Sequence, residues 1–169
     1  MAELLLGAGN RREKKLYRQG QQFFVDLTTL DIDPGCNPDV LWDLNNRPLP
    51  FADGQFDEIH AYEVLEHVGR QGDWRGFFAE FAEYYRILKP GGVLVLSCPR
   101  WDSPWAWGDP GHTRVLSAHT FTFLSREQYI AQIGQTPMTD YRAVWPADFV
   151  LVHESEVGEH GMLYALQRD

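Results

Sequence analysis

Residues 4–10 read LLLGAGN, and the reading of the whole chain starts from this stretch. Leu4, Leu5 and Leu6 form a short apolar run that Gly7, Ala8 and Gly9 break abruptly, and a polar stretch begins at Arg11. An apolar run ended by a Gly-x-Gly pair predicts a buried strand running into a tight turn. Glycine serves such a turn in two ways: it reaches positive φ, and its missing side chain lets a ligand approach the main chain. In a doubly wound sheet this turn lies at the carboxyl end of the first strand, where ligands bind. The third glycine of the dinucleotide fingerprint is absent, since Asn10, Arg11 and Arg12 stand there, which argues against a dinucleotide.

Downstream, the stretch from Phe23 to Ile32 is rich in β-branched and aromatic residues and predicts a second strand, stopped by Pro34-Gly35. Asp31 stands roughly 20 positions beyond the glycine turn, where a ribose-binding carboxylate belongs. The plainer reading is that Asp31 and Asp33 cap a turn. Val40-Leu41-Trp42 predicts a short third strand, followed by Asp43 and a Pro-rich loop, and Phe56 to Tyr62 predicts a fourth. Glu63 to Val68 follows as a tight turn at the carboxyl end of that strand. From Asp73 onward, Trp74, Phe77, Phe78, Phe81, Tyr85 and Leu88 recur at three- and four-residue steps, which predicts a helix with one apolar face. Lys89-Pro90-Gly91-Gly92 reads as its stop, and Val93 to Cys98 as a central strand buried on both faces. Strands alternating with helical segments predict an α/β fold with a parallel sheet. Ser125 to Gln128 reads as a capping box opening a helix to about Ile133. Two last strands are expected near 142–152 and 161–167, with Pro146 placing the first at an edge or a bulge.

The chain has 169 residues, enough for one domain with a sizeable core, and a formal net charge of −9. That charge disfavours a broad nucleic-acid-binding face. The local basic run of Arg11, Arg12, Lys14, Lys15 and Arg18 is expected to be a solvated face. Cys36 and Cys98 show no metal or disulfide spacing, which suits a reducing compartment. No apolar run is long enough to span a membrane and no signal pattern is present, so a cytoplasmic location is expected.

Four stretches taken together resemble the class I S-adenosylmethionine-dependent methyltransferases: LLLGAGN at 4–10, LDIDPG at 30–35, PFADGQFDEIHAYEVLEHV at 50–68 and ILKPGGVLVLSCP at 87–99. The last two are the more specific, and they are similar to a subgroup with Leu-Glu-His before the helix and Leu-Lys-Pro-Gly-Gly after it. The resemblance implies a Rossmann-like doubly wound sheet in the order 3-2-1-4-5-7-6 with the last strand antiparallel. It implies a single domain over 1–169, without the N-terminal helices that often roof the pocket, and S-adenosylmethionine as cofactor. Gly7 and Gly9 would lie against its methionine end, Asp31 would bind the ribose hydroxyls, and Ile32 would pack on the adenine. Asp43 and Leu44 would face the adenine edge, and Glu63 would lie beside the cofactor and its methyl group. Asp57 and the Lys89–Gly92 turn match family motifs and read as structural. The chain departs from the family at Leu5, where an acidic residue usually stands, and at Arg11, which replaces the third motif glycine.

His67 and His112 are the candidate catalytic bases, because imidazole titrates near neutral pH and can take a proton from a methyl acceptor. His60 and His67 are seven apart, as are His112 and His119; neither pair has zinc-site spacing with a third ligand nearby, so no metal is expected. The loop from Pro99 to Arg114 carries Trp101, Trp105 and Trp107, then Asp109, His112 and Arg114. It is read either as a satellite cluster at the sheet edge or as a lid, with His112 and Arg114 supplying polar contacts. The expected activity is methyl transfer to a small molecule or a protein side chain, with nucleic acid less favoured, no membrane partner and the oligomeric state open. The alternatives are a non-catalytic protein of the same fold, or another reaction of S-adenosylmethionine.

Overall fold

The computed structural model describes residues 1–16 and 20–169. Seven strands form one sheet: β1 (Ala2–Leu6), β2 (Asp26–Asp31), β3 (Val40–Leu41), β4 (Phe56–Tyr62), β5 (Leu88–Pro99), β6 (Phe149–Val157) and β7 (Gly161–Arg168). Their order is β3-β2-β1-β4-β5-β7-β6. The pairings from β3 through β5 are parallel, and β7 runs antiparallel to both of its neighbours. This is the order and the antiparallel strand that the resemblance implies. The helices are α1 (Trp74–Ile87), α2 (Pro104–Gly108), α3 (Ala118–Phe121) and α4 (Arg126–Gln132).

Period-2 alternation gives the sheet two unlike faces. Leu4, Leu6, Ile59, Ala61, Leu94 and Leu96 point to one face and are fully buried there. Helix α1 covers them with Phe78, Phe81, Tyr84 and Ile87; of the expected stripe Phe78 and Phe81 are buried there, Trp74, Phe77 and Tyr85 are partly buried, and Leu88 lies in β5. Phe121, Leu124 and Tyr129, from α3 to α4, complete that layer. Asp73 caps α1, accepting the Gly76 N–H at 3.0 Å. Ser125 caps α4, accepting the Gln128 N–H at 3.4 Å.

The structure corrects several sequence expectations. β3 holds two residues rather than three. Lys89–Gly92 does not stand outside the sheet; β5 begins at Leu88 and runs through it as a bulge, with the register to β4 shifting between Phe56 and Glu58. Pro99 to Gly111 is not all loop, since α2 lies within it. β6 starts at Phe149, not near 142. There the chain turns at Tyr141–Trp145, and the Trp145 indole N–H, buried, donates to the Leu124 carbonyl at 2.9 Å, so those residues serve the core instead of the ladder.

On the other face lies a polar core. Glu3, Glu58 and His60 project from β1 and β4, all buried. The Lys14 amine reaches between the two carboxylates, in contact with Glu3 and 3.0 Å from Glu58. Lys14 is therefore not part of a solvated face. It is a buried counter-ion, because two carboxylates buried without it would be very costly. Residues 11–16 form no helix, and Arg18 of the basic run lies outside the described residues. His60 bonds Glu58 through Nε2 at 3.0 Å and the Tyr62 hydroxyl through Nδ1 at 2.7 Å; burial lowers its pKa, so the ring is neutral.

Despite its burial, Glu58 is held down to about 2 by hydrogen bonds from His60 and Lys14. A depressed carboxylate contributes stability that is full above its unfolded value and lost as pH falls toward the folded one. We expect unfolding free energy to fall between about pH 4.5 and 2, and Glu58→Gln to flatten that fall by up to about 1.4 kcal/mol per pH unit, one proton's worth. Urea unfolding at stepped pH checks this; an identical slope in the variant would show that Glu58 is not the group titrating.

Candidate functional site

β1 ends at Leu6, and the chain reverses at Gly7 and Gly9, with φ of 56° and 49°. A β-carbon on Gly7 would overlap the Val64 side chain, whereas one on Gly9 would meet nothing within 4 Å. Gly7 is thus needed for packing, and Gly9 leaves its backbone open to the space beside it. The Gly9 N–H donates to Asp31 Oδ2 at 2.8 Å, and the Asp33 N–H donates to Oδ1 at 2.9 Å. These two bonds hold the carboxylate rigidly at the end of β2, next to the glycine turn. Each oxygen keeps further lone-pair capacity, since an ionised carboxylate offers about four acceptor sites. Asp33 does cap a turn, accepting the Gly35 N–H at 2.8 Å.

Two cavities meet at Gly7. One, of about 180 Å³, is lined by Asp31, Ile32, Asp43, Leu44, Val64 and His67, among others. Ile32 is 65% exposed, an apolar surface presented at the cavity rather than to the core. Asp43 Oδ1 accepts the Asn45 N–H at 2.8 Å, an Asx-type turn that fixes the loop after β3. The other cavity, of about 470 Å³, lies on the far side of the glycine turn and is lined by Leu5, Gly9, Asn10, Glu13, Tyr62 and Glu63. Its volume is in the range of small-molecule pockets.

Glu63 sits at the carboxyl end of β4 with φ of 54°, an unusual conformation for a non-glycine residue. Its backbone N–H donates to the Ser97 carbonyl at 2.9 Å, and its carboxylate accepts the Ser97 hydroxyl at 2.6 Å. Lys15 stands 3.8 Å from the same carboxylate and donates to Ser97 Oγ at 2.9 Å. Neither Ser97 nor Lys15 stands out in the sequence, since the polar residue of an apolar strand and one lysine of a basic run are both commonplace.

The pieces brought together here are a glycine turn, a carboxylate one strand away and an acidic residue at the end of the fourth strand. A family described as a methyltransferase domain matches residues 4–96, more than half of the chain. The chain belongs to this methyltransferase family. With its sheet order, it is a class I S-adenosylmethionine-dependent methyltransferase fold. A methyltransferase of Mycolicibacterium gilvum, not itself characterised, is 37% identical over 93 residues, which cover 55% of this chain and 32% of that protein. The chain spans about a third of the length of the curated relatives it matches. Among solved structures, a SAM-dependent methyltransferase from Aquifex aeolicus superposes with a TM-score of 0.58 at 12% identity, covering 100% of this chain and 82% of that one. The trans-methyltransferase CalH in complex with SAH gives 0.60 at 15%, covering 99% and 51%. At these identities the likeness is one of fold.

The geometry of this methyltransferase-family chain suits an S-adenosylmethionine site: a turn whose Gly9 backbone is open, a rigid carboxylate with spare lone pairs, and cavities on both sides of the turn. The acidic residue expected before Gly7 is replaced by Leu5, which is buried; the acidic groups lining that side of the pocket are Glu13 and Glu63.

The loop after β5 is neither a satellite cluster nor a closed lid. Trp101, Trp105 and Trp107 are 58%, 60% and 71% exposed. Arg114 does not face an acceptor. It is buried, pairs with Glu80 through two 2.7 Å bonds, and donates from Nε to the Leu65 carbonyl at 2.9 Å. That anchor carries His112 onto the turn after β4. The His67 and His112 rings meet edge to face, with centroids 4.6 Å apart. Glu66, which the sequence reading did not single out, is buried beside them. Burial pushes its carboxyl up to about 8, and the nearby Glu63 charge adds to the shift.

Proposed function

We propose that the chain transfers a methyl group from S-adenosylmethionine to an acceptor bound beyond Glu63. The observation that carries this reading is Asp31, fixed by two backbone N–H groups between the glycine turn and the Ile32 cavity wall. Asp31 accepts hydrogen bonds from the ribose hydroxyls. Ile32 packs on the adenine, and Asp43 and Leu44 border its edge. Gly7 and Gly9 let the main chain approach the methionine portion, and Glu63, steered by Ser97 and Lys15, borders the reacting end. The bound cofactor supplies an activated methyl on a sulfonium centre with a good leaving group. What remains for the protein is positioning and exclusion of water.

The net charge of −9 favours a small molecule or a protein side chain over bare nucleic acid as acceptor. No described helix is long and apolar enough to cross a membrane. One fold neighbour, from Haloferax volcanii, is seen in complex with the Trm112 methyltransferase activator, and an activating subunit is a candidate partner here. Isothermal titration with S-adenosylmethionine and S-adenosylhomocysteine tests the reading. We expect saturable binding of both, and S-adenosylhomocysteine as product once an acceptor pool is added. Binding without product from any pool favours the non-catalytic alternative, which the leucine at position 5 motivates. No binding of either ligand near millimolar concentration overturns both.

A further inference from the structure

We propose that Glu66, His67 and His112 form a binding site for one divalent transition-metal ion. No spacing in the sequence suggests it, since His112 comes from a different loop, 45 positions after His67. Three donor atoms, one from each residue, lie within 4.8 Å of one another.

The free valences of the cluster are those a cation needs. Glu66 is 2% exposed, and neither of its carboxylate oxygens has a hydrogen-bond partner. A buried carboxylate left in that state is costly. The nearest buried cation, Arg114, is committed to Glu80 and to the Leu65 carbonyl. His112 Nδ1 is likewise buried without a partner, while its Nε2 faces Asp109 Oδ2 at 3.8 Å. His67 Nδ1 lies 3.0 Å from the Gly111 carbonyl, so it donates there and leaves the Nε2 lone pair open. Each imidazole thus has one nitrogen turned to an oxygen acceptor and the other open, the arrangement in which metal-bound histidines are held and oriented. Donors on a single ion sit about 2.0–2.2 Å from it, and three donor atoms within 4.8 Å of one another can reach that arrangement with small side-chain rotations.

A second cluster shows the contrast. Glu3, Glu58 and His60 also bring donor atoms together, but the Lys14 amine already occupies the space between their carboxylates. No protein cation fills the Glu66 cluster among the described residues.

Two imidazoles and one carboxylate suit Zn²⁺, Fe²⁺ or Mn²⁺ rather than Ca²⁺, and three protein ligands leave coordination positions open. His67 also lines the cavity that holds Asp31. An open position there faces the side of the pocket assigned to the nucleoside, away from Glu63; this placement, unlike the site itself, rests on the methyl-transfer reading.

Co²⁺ is the probe, because its visible d–d absorption reports bound ligands directly. EDTA-treated protein titrated with CoCl₂ is expected to take up one ion per chain with saturable d–d absorption. It should also show paramagnetic broadening of the His67 and His112 ring signals. Glu66→Gln, which keeps the side-chain volume, and His112→Ala are each expected to weaken uptake at least about 10-fold. Uptake without that broadening, or equal uptake by wild type and Glu66→Gln, overturns the proposal, as does no saturable uptake at all. The ring signals are read in wild type, so a misfolded variant does not remove the test. Titration of metal-free protein with S-adenosylhomocysteine separates the two readings: its failure alongside normal Co²⁺ uptake counts against methyl transfer only.

Discussion

Replacing Asp31 by alanine is expected to weaken S-adenosylhomocysteine binding by about 1.5–3 kcal/mol, roughly 10- to 150-fold in Kd, the range for hydrogen bonds to a charged group. The side chain is buried to 8% exposure and spans the glycine turn and its own loop. Its loss removes the ribose acceptor and also frees the Gly9 and Asp33 N–H groups, so the pocket loses contact and shape together. Asparagine is not a conservative replacement. Donors face both oxygens of Asp31, and an amide would present its NH₂ to one of them. Asp33→Ala should cost much less, since that carboxylate bonds only its own turn, through Gly35 and the Cys36 thiol. Isothermal titration ranks the three variants, and a larger loss for Asp33→Ala than for Asp31→Ala would show that the wrong carboxylate was assigned to the ribose.

The second large effect is structural. Arg114→Ala is expected to destabilise the protein by about 3–5 kcal/mol, because it leaves Glu80 buried with its main counter-ion gone. Glu80 would keep the Tyr84 hydroxyl at 2.9 Å and a longer contact of 3.6 Å to Arg47. Neither replaces a two-pronged guanidinium. Arg114→Lys should recover only part of the loss, since an ammonium cannot donate in that fork or reach the Leu65 carbonyl at the same time. Urea unfolding measures both, and a loss under about 1 kcal/mol for alanine would mean that Glu80 finds another partner. The consequence reaches the site: the Thr113 and Arg114 N–H groups both donate to the Glu66 carbonyl. Loosening this anchor should therefore displace His112 from His67.

Much of the fold was legible because the signals were local. The stripe from Trp74 to Leu88 follows the helix repeat, the run from Phe56 to Tyr62 follows the breakers Pro50 and Gly54, and both were placed close to their observed ends. Leu4–Gly9 announced its turn because positive φ at two nearby positions demands glycine. Asp31 was legible through its spacing from that turn. The failures share one cause. Lys14 looked like part of a solvated basic face, and only the sheet could show that Glu3 and Glu58, from strands far apart in sequence, converge beneath it. The stretch before Phe149 looked like strand until Trp145 was seen to be claimed by the core. Arg114 looked like a site residue because a charge in a loop usually faces water.

The sequence by itself determined the alternation of strands and helices, the place of the glycine turn and the carboxylate beside it. These depend on residues near one another along the chain, whose conformational preferences act before any packing. Tertiary structure alone decided which charges pair in the interior and which polar atoms are left without partners. Glu80 with Arg114, Lys14 between Glu3 and Glu58, and Glu66 with His67 and His112 are each assembled across 30 residues or more or between separate strands. Burial sets the cost of an unmet charge, and burial is a property of the packed sheet and its loops rather than of any stretch of sequence.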